Sequence, residues 1–199
     1  MLQVTAVCLV APIQLGVQAS DNVAATFYYL HSYTSGGSLL TGVGDQLIDS
    51  LGRKSHTDAY GASASWMITP KITLGGWLGF TSSSVEATTG TVETFNWMTY
   101  LNFPNLFYRG DLAGLYVGMP PKITSSTLTN GNVPSTISGL ASTVTGGQPD
   151  STTHVELFYR LRLNRNISIT PALIFLFNPV QTAGSDTITI GTLRTTFTF

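Results

Sequence analysis

Gly191-Thr-Leu-Arg-Thr-Thr-Phe-Thr-Phe199 alternates apolar and polar side chains up to its last residue. Successive side chains of an extended strand point to opposite faces, so a period of two describes a strand whose faces meet different environments. Working backwards, the same period returns in segments of about ten residues, the length a tilted strand needs to cross the hydrocarbon of a bilayer. The expected fold is all-β, a transmembrane antiparallel up-and-down β-barrel.

The stretch His154–Leu163 tests that reading. Val155, Leu157, Tyr159, Leu161 and Leu163 share one face; His154, Glu156, Phe158, Arg160 and Arg162 share the other. A soluble β-sandwich would also alternate, with its apolar face on a core and its charged face in water. Composition separates the two readings. Only 10% of the residues are charged although 43% are hydrophobic, against about 25% charged in a typical soluble domain. So few charges make a poor water-facing surface. The same deficit suits a surface that faces lipid.

No stretch approaches the roughly 20 consecutive apolar residues of a membrane helix, which leaves the closed barrel as the way to satisfy every backbone group inside hydrocarbon. A net charge of -1 gives no footprint for nucleic acid. The single cysteine, Cys8, has no partner for an internal disulfide. At the N-terminus, the apolar run Val4–Ala11 followed by Val17-Gln18-Ala19 has the outline of a secretory leader. No lysine or arginine precedes the run, however, and this favours a strand cut off at its start over a leader.

Strands are expected near Ile13–Ala19, Val23–Tyr33, Asp58–Ile68, Ile72–Val85, Val92–Phe103, Leu112–Met119, Thr153–Leu163, Ile167–Phe177 and Asp186–Phe199. Ser20-Asp21-Asn22, Thr69-Pro70-Lys71 and Asn164-Arg165-Asn166 read as tight turns, and Pro104–Gly110 as a longer one. The alternate connections include the long, Gly/Ser/Thr-rich Thr34–Thr57 and Pro120–Thr152, besides Glu86–Thr91 and Asn178–Ser185. Short turns at one rim and longer loops at the other are the rule for outer-membrane barrels. Pro171 inside a strand predicts a break in pairing or a bulge, and the glycines of Ile72–Phe80 and Leu112–Met119 predict bends or close packing.

Five segments in order carry a family resemblance: Asp58-Ala-Tyr-Gly-Ala-Ser-Ala-Ser-Trp66, Pro70-Lys-Ile-Thr-Leu-Gly-Gly-Trp77, Leu112-Ala-Gly-Leu-Tyr-Val-Gly-Met-Pro-Pro-Lys122, Asn166-Ile-Ser-Ile-Thr-Pro171 and Gly191–Phe199. From about Ile13 to Phe199 the chain resembles the C-terminal part of the cyanobacterial outer-membrane porins, often labelled iron-uptake porins and related to the OprB-type carbohydrate-selective porins. The resemblance implies a water-filled barrel of about sixteen strands, an even number as in bacterial barrels generally. In the family a surface-layer-homology domain that binds cell-wall polymer precedes the barrel. Residues 1–199 are therefore expected to form a partial porin barrel, with that domain and the N-terminal strands absent.

Little else in the chain carries chemistry. There is no Gly-x-Ser-x-Gly elbow and no Ser/His/Asp constellation, so no enzyme is expected. Gly75-Gly-Trp-Leu-Gly79 lacks the Lys-Ser/Thr ending of a phosphate loop. His31, His56 and His154 fall on separate elements without ligand spacing, so neither metal site nor cofactor is expected. The candidate pore-lining residues are Arg160, Arg162, Arg194, Glu156 and His154, with a salt bridge from Glu156 to Arg160 or Arg162 as the plain structural alternative. Inward arginines favour anions. Tyr33, Trp66, Phe103, Tyr108 and Phe199 are candidates for the aromatic girdles at the membrane interfaces. The expected partners are outer-membrane lipids and small hydrophilic solutes or inorganic ions, iron among them; a homo-oligomer is compatible with the pattern. The expected role is passive transport in a bacterial outer membrane. The alternative is a structural protein that ties membrane to wall.

Overall fold

A computed structural model of the chain describes residues 8–35, 55–86, 89–128, 147–148 and 150–198, with residues 8 and 9 described by backbone alone. Nine strands follow one another: β1 (Cys8–Ser20), β2 (Val23–Thr34), β3 (Ser55–Thr69), β4 (Ile72–Val85), β5 (Thr91–Pro104), β6 (Leu112–Ser126), β7 (Thr153–Arg162), β8 (Ile167–Phe177) and β9 (Ile188–Phe197). Each pairs antiparallel with the next, so the single sheet keeps sequence order from β1 to β9. A one-turn 3-10 helix at Pro179–Gln181 is the only helical element among the described residues. A sandwich requires a second sheet facing the first. None is present among the described residues, and the soluble-sandwich reading falls.

Cross-strand partners lie side by side on one face of a sheet, so the register sorts every side chain. Leu15, Phe27, Ala62, Leu78, Trp97 and Met119 form one apolar rung running through β1 to β6. Leu115, Leu157 and Leu173 continue the same face through β6, β7 and β8. The opposite face carries Thr26, Ser63, Asn102, Glu156, Thr170, Thr192 and Arg194. A globular domain hides its apolar side chains, but here only Val85, Val92 and Ile123 are buried hydrophobics among the described residues, while Leu157 is 53% exposed. The apolar face therefore has no protein layer to cover it. This is the inverse of a soluble core.

Strand positions agree closely with the alternation, and β4 and β8 agree to the residue. Two elements differ by more than three residues. β1 begins at Cys8 rather than Ile13, pairing from Cys8 opposite Thr34 to Ser20 opposite Val23, which makes the described part of the apolar N-terminal run a strand. β6 runs through Pro120-Pro121 to Ser126, past the expected end at Met119. Prolines cannot donate to a ladder, and the register with β5 accordingly shifts between Phe95 and Trp97, opposite that pair. At Pro171 the ladder with β7 lapses between the pairs Phe158–Ala172 and Leu161–Ile169, without a change of register, so the outcome there is an interruption and not a bulge.

Of the two outcomes expected for the strand glycines, bends or close packing, Gly75 and Gly114 show close packing, and Gly61 of β3 does the same. A Cβ at Gly75 would stand 2.3 Å from the Tyr100 ring, one at Gly114 2.3 Å from Phe158, and one at Gly61 1.9 Å from Tyr28. In each case a large side chain lies across the neighbouring strand's backbone, and only glycine leaves room.

The split between faces predicts a sharp neighbour effect within β3. Ala62 stands between Phe27 and Leu78, and Ser63 between Thr26 and Trp77. In lipid vesicles, Ala62→Arg is expected to cost roughly 2–4 kcal/mol of folding stability, as an arginine at a lipid-facing midplane position does. Ser63→Arg is expected to cost far less. Denaturant titration of both variants checks the ordering, and equal losses would contradict the assignment of faces.

Candidate functional site

The polar face divides along the strands. At the short-turn rim, Arg162 stands opposite Ser168 and Arg194 opposite Thr170, with Arg160 on the same face of β7 opposite Leu112. Arg160, Arg162, Arg165, Asn166, Ser168 and Thr196 line an open cavity of about 330 Å³. Arg162 donates from Nε to the Asn164 carbonyl at 3.2 Å, and its stem lies over Gly110, where a Cβ would approach its Cδ to 3.0 Å. No salt bridge to these arginines is found among the described residues.

Glu156, the partner in the salt-bridge alternative, is engaged elsewhere, with Oε2 at 3.4 Å from Nε2 of His154. The geometry of a strand explains this. At about 3.3 Å per residue, positions four apart are about 13 Å distant, whereas His154 is only two positions away on the same face.

Asp111 is also committed. Its carboxylate accepts from the N–H groups of Leu106, Phe107 and Tyr108 at 2.7, 2.9 and 2.9 Å and from the Tyr159 hydroxyl. Burial pushes the Asp111 carboxyl up, but the Tyr159 hydroxyl and the three N–H donors outweigh it and hold the group at about 2. The same connection needs a left-handed Gly110 at φ 92°, whose N–H bonds Asn105 Oδ1 at 2.7 Å. Together these bonds set the β5–β6 turn.

At mid-strand, four rings meet on the polar face. Trp77 and Tyr100 have centroids 6.3 Å apart, Tyr100 and Tyr116 stack at 5.1 Å, and Tyr116 meets Phe158 edge-on at 5.5 Å. Alternation puts Phe158 on the charged face of β7, but the row itself is invisible in sequence. It depends on register across four strands, two of which are joined by a long connection. Toward the long-loop rim, Ile174 and Ile190 flank the level of Glu156, and Leu176 and Ile188 that of His154. There both faces of β8 are apolar, and β9 turns Ile188 and Ile190 to the polar face and Thr189 to the other, a departure from the strict alternation expected.

The apolar face is free of Asp, Glu, Lys and Arg from the short turns up to Lys122, which the register places opposite Phe95, and Asp58 and Glu93 follow one step further toward the long-loop rim. Asp58 Oδ1 accepts from the Tyr29 hydroxyl at 2.6 Å and lies 2.8 Å from His31 Nδ1. The His31 and His56 rings stack at 6.0 Å, so two histidines that are far apart in sequence are neighbours in space. No group of three or more His, Cys, Asp or Glu side chains suited to a metal is found among the described residues. Of the girdle candidates, Trp66 and Phe103 lie on the apolar face close to the short turns, and Tyr108 is exposed in the β5–β6 turn. Tyr33 lies at the opposite rim beside His56, with centroids 4.9 Å apart. Phe199 lies outside the described residues.

A one-layer, two-faced antiparallel sheet in sequence order, with its apolar side uncovered, is a section of the wall of a transmembrane β-barrel. The family model described as "Carbohydrate-selective porin, OprB family" matches residues 10–199, and the chain belongs to that family. The uncharacterized protein alr4550 of Nostoc sp. is 29% identical over 196 residues, covering 94% of this chain and 31% of that protein. The uncharacterized protein sll0772 of Synechocystis sp. is 30% identical over 209 residues, covering 94% of this chain and 35% of that protein. The chain thus spans about a third of the length of the curated relatives it matches. No solved structure matches it.

The depressed Asp111 carboxyl fixes a pH window for the β5–β6 turn. An acid with a folded value near 2 and an ordinary value of 3.8 stabilises fully above the ordinary value and loses its contribution as pH falls through the folded one. Hydrogen-exchange protection of the Leu106, Phe107 and Tyr108 amides is expected to hold down to about pH 4 and to fade toward pH 2. Asp111→Asn should lower protection at neutral pH and remove the acid transition.

Proposed function

We propose that the chain forms part of the wall of a water-filled pore in a bacterial outer membrane, through which small hydrophilic solutes diffuse passively. The observation that carries this reading is the segregation of charge. The register puts Arg160, Arg162 and Arg194 on one face, and the other face holds no acidic or basic residue across the same band. Near an interface an arginine turned to lipid costs less than the roughly 2–4 kcal/mol of the midplane; what favours the aqueous side for the arginine face is that all three arginines fall on it and none falls on the other. The apolar face then meets outer-membrane lipid, with Trp66, Phe103 and Tyr108 in the girdle at the short-turn rim and Tyr33 at the other.

The family's description favours carbohydrate as the solute; inorganic ions, iron among them, share the same aqueous path without needing a fixed ligand. Arg160, Arg162 and Arg194 give the short-turn mouth a positive field, and Glu156 and His154 line the wall above it. Nothing in this arrangement calls for catalysis or a cofactor.

Planar bilayers containing the protein are expected to show discrete ion-dependent conductance steps, whereas a purely structural wall protein would fold without them. Under a KCl gradient, Arg160→Gln, Arg162→Gln and Arg194→Gln together are expected to move the reversal potential toward cation preference. An unchanged potential with unchanged conductance would remove these arginines from the conducting path.

A further inference from the structure

We propose that Trp77, Tyr100, Tyr116 and Phe158 form a stacking ledge on the pore wall for the apolar face of pyranose sugars. The inference rests on the porin reading and adds a binding site to it.

All four side chains belong to the polar face by register, Tyr100 opposite Gly75 and Tyr116, and Phe158 opposite Gly114. Their consecutive centroids, 6.3, 5.1 and 5.5 Å apart, make an unbroken row across four strands. The glycines set the posture of the rings. Gly75 lies under Tyr100 and Gly114 under Phe158, each with no space for a Cβ. The rings are not coplanar: Trp77 is tilted 46° to Tyr100, Tyr100 and Tyr116 lie 23° apart, and Tyr116 stands at 66° to Phe158, so the row offers a stepped series of aromatic faces and edges. Trp77, at the start of the row, is 38% exposed.

A flat aromatic face suits one kind of small hydrophilic solute. The π cloud is negative over the ring, and the C–H groups on one side of a pyranose are weakly positive and apolar. Sugar hydroxyls point outward around the pyranose ring and need donors and acceptors beside the stack. Glu156 stands directly opposite Tyr116 in register, and Arg160 follows Phe158 on the same face of β7. The first accepts from hydroxyls and the second donates to them. Because strands in such barrels tilt by about 35–45°, a row along the hydrogen-bond direction climbs obliquely and offers successive stacking positions.

The test uses the refolded chain in detergent with Trp66→Phe and Trp97→Phe, which leaves Trp77 as the sole tryptophan and a reporter within the row. Glucose and maltotetraose are expected to change its fluorescence saturably, the longer sugar at lower concentration. Removing a ring by Tyr116→Ala or Phe158→Leu should weaken binding roughly two- to tenfold, the range of one aromatic contact, with β-sheet circular dichroism unchanged. Gly114→Ala, which keeps all four rings but displaces Phe158, should weaken it as well. No saturable change, or undiminished binding in both ring variants, would overturn the ledge. So would binding of choline chloride without glucose, which would make the rings a cation site. Bilayer steps without sugar binding would sink the ledge and spare the pore; sugar binding without steps would do the reverse.

Discussion

Inside hydrocarbon a backbone N–H or C=O has no water to turn to, and leaving one unpaired costs several kcal/mol. Everything in this sheet follows from that constraint. Eight antiparallel ladders join nine strands, and each ladder fixes which side chains share a face. A slip of one residue in any of them would turn that strand's apolar set toward water and its polar set toward lipid. Register and membrane orientation are therefore a single specification. The same constraint acts at the two ends of the sheet, where β1 and β9 each have a neighbour on one side only. Unpaired edges are not tolerated in lipid, so each of these two strands calls for a pairing partner along its outer edge.

The glycines show how the wall is made thin where large rings lie on it. Tyr28 over Gly61, Tyr100 over Gly75 and Phe158 over Gly114 repeat one device on three strand pairs. A strand glycine loses side-chain packing and backbone entropy, but it leaves room for an aromatic side chain to lie across the neighbouring strand. A Cβ at any of these positions would push the ring off the sheet.

Alternation within strands was readable from the chain because it is a local property with a fixed period. His154–Leu163 reveals both of its faces with no knowledge of its neighbours. Tight turns were readable for the same reason, since Asn, Asp, Gly and Pro punctuate them. The aromatic row and the pairing of His31, His56 and Asp58 were not readable. They depend on register across connections whose length does not set the pairing. Glu156 shows a different limit: opposite charge made arginine its partner in the salt-bridge alternative, but spacing along a strand decided for His154. The Pro120-Pro121 pair looked like a strand end because proline breaks a ladder, yet a shift of register absorbs it and lets β6 continue.

The two faces also differ in how they vary with depth. Lipid is nearly uniform across the hydrocarbon, and the apolar face is correspondingly plain: mostly aliphatic and aromatic side chains, with no charge between the short turns and the level of Lys122. The polar face changes level by level. Arginines gather at the short-turn rim, aromatic rings occupy the middle of β4 to β7, and the hydroxyls of Thr57, Ser83 and Thr94 are buried near the long-loop rim. Lipid exerts no comparable demand for order, and that asymmetry sets the two faces apart independently of hydropathy.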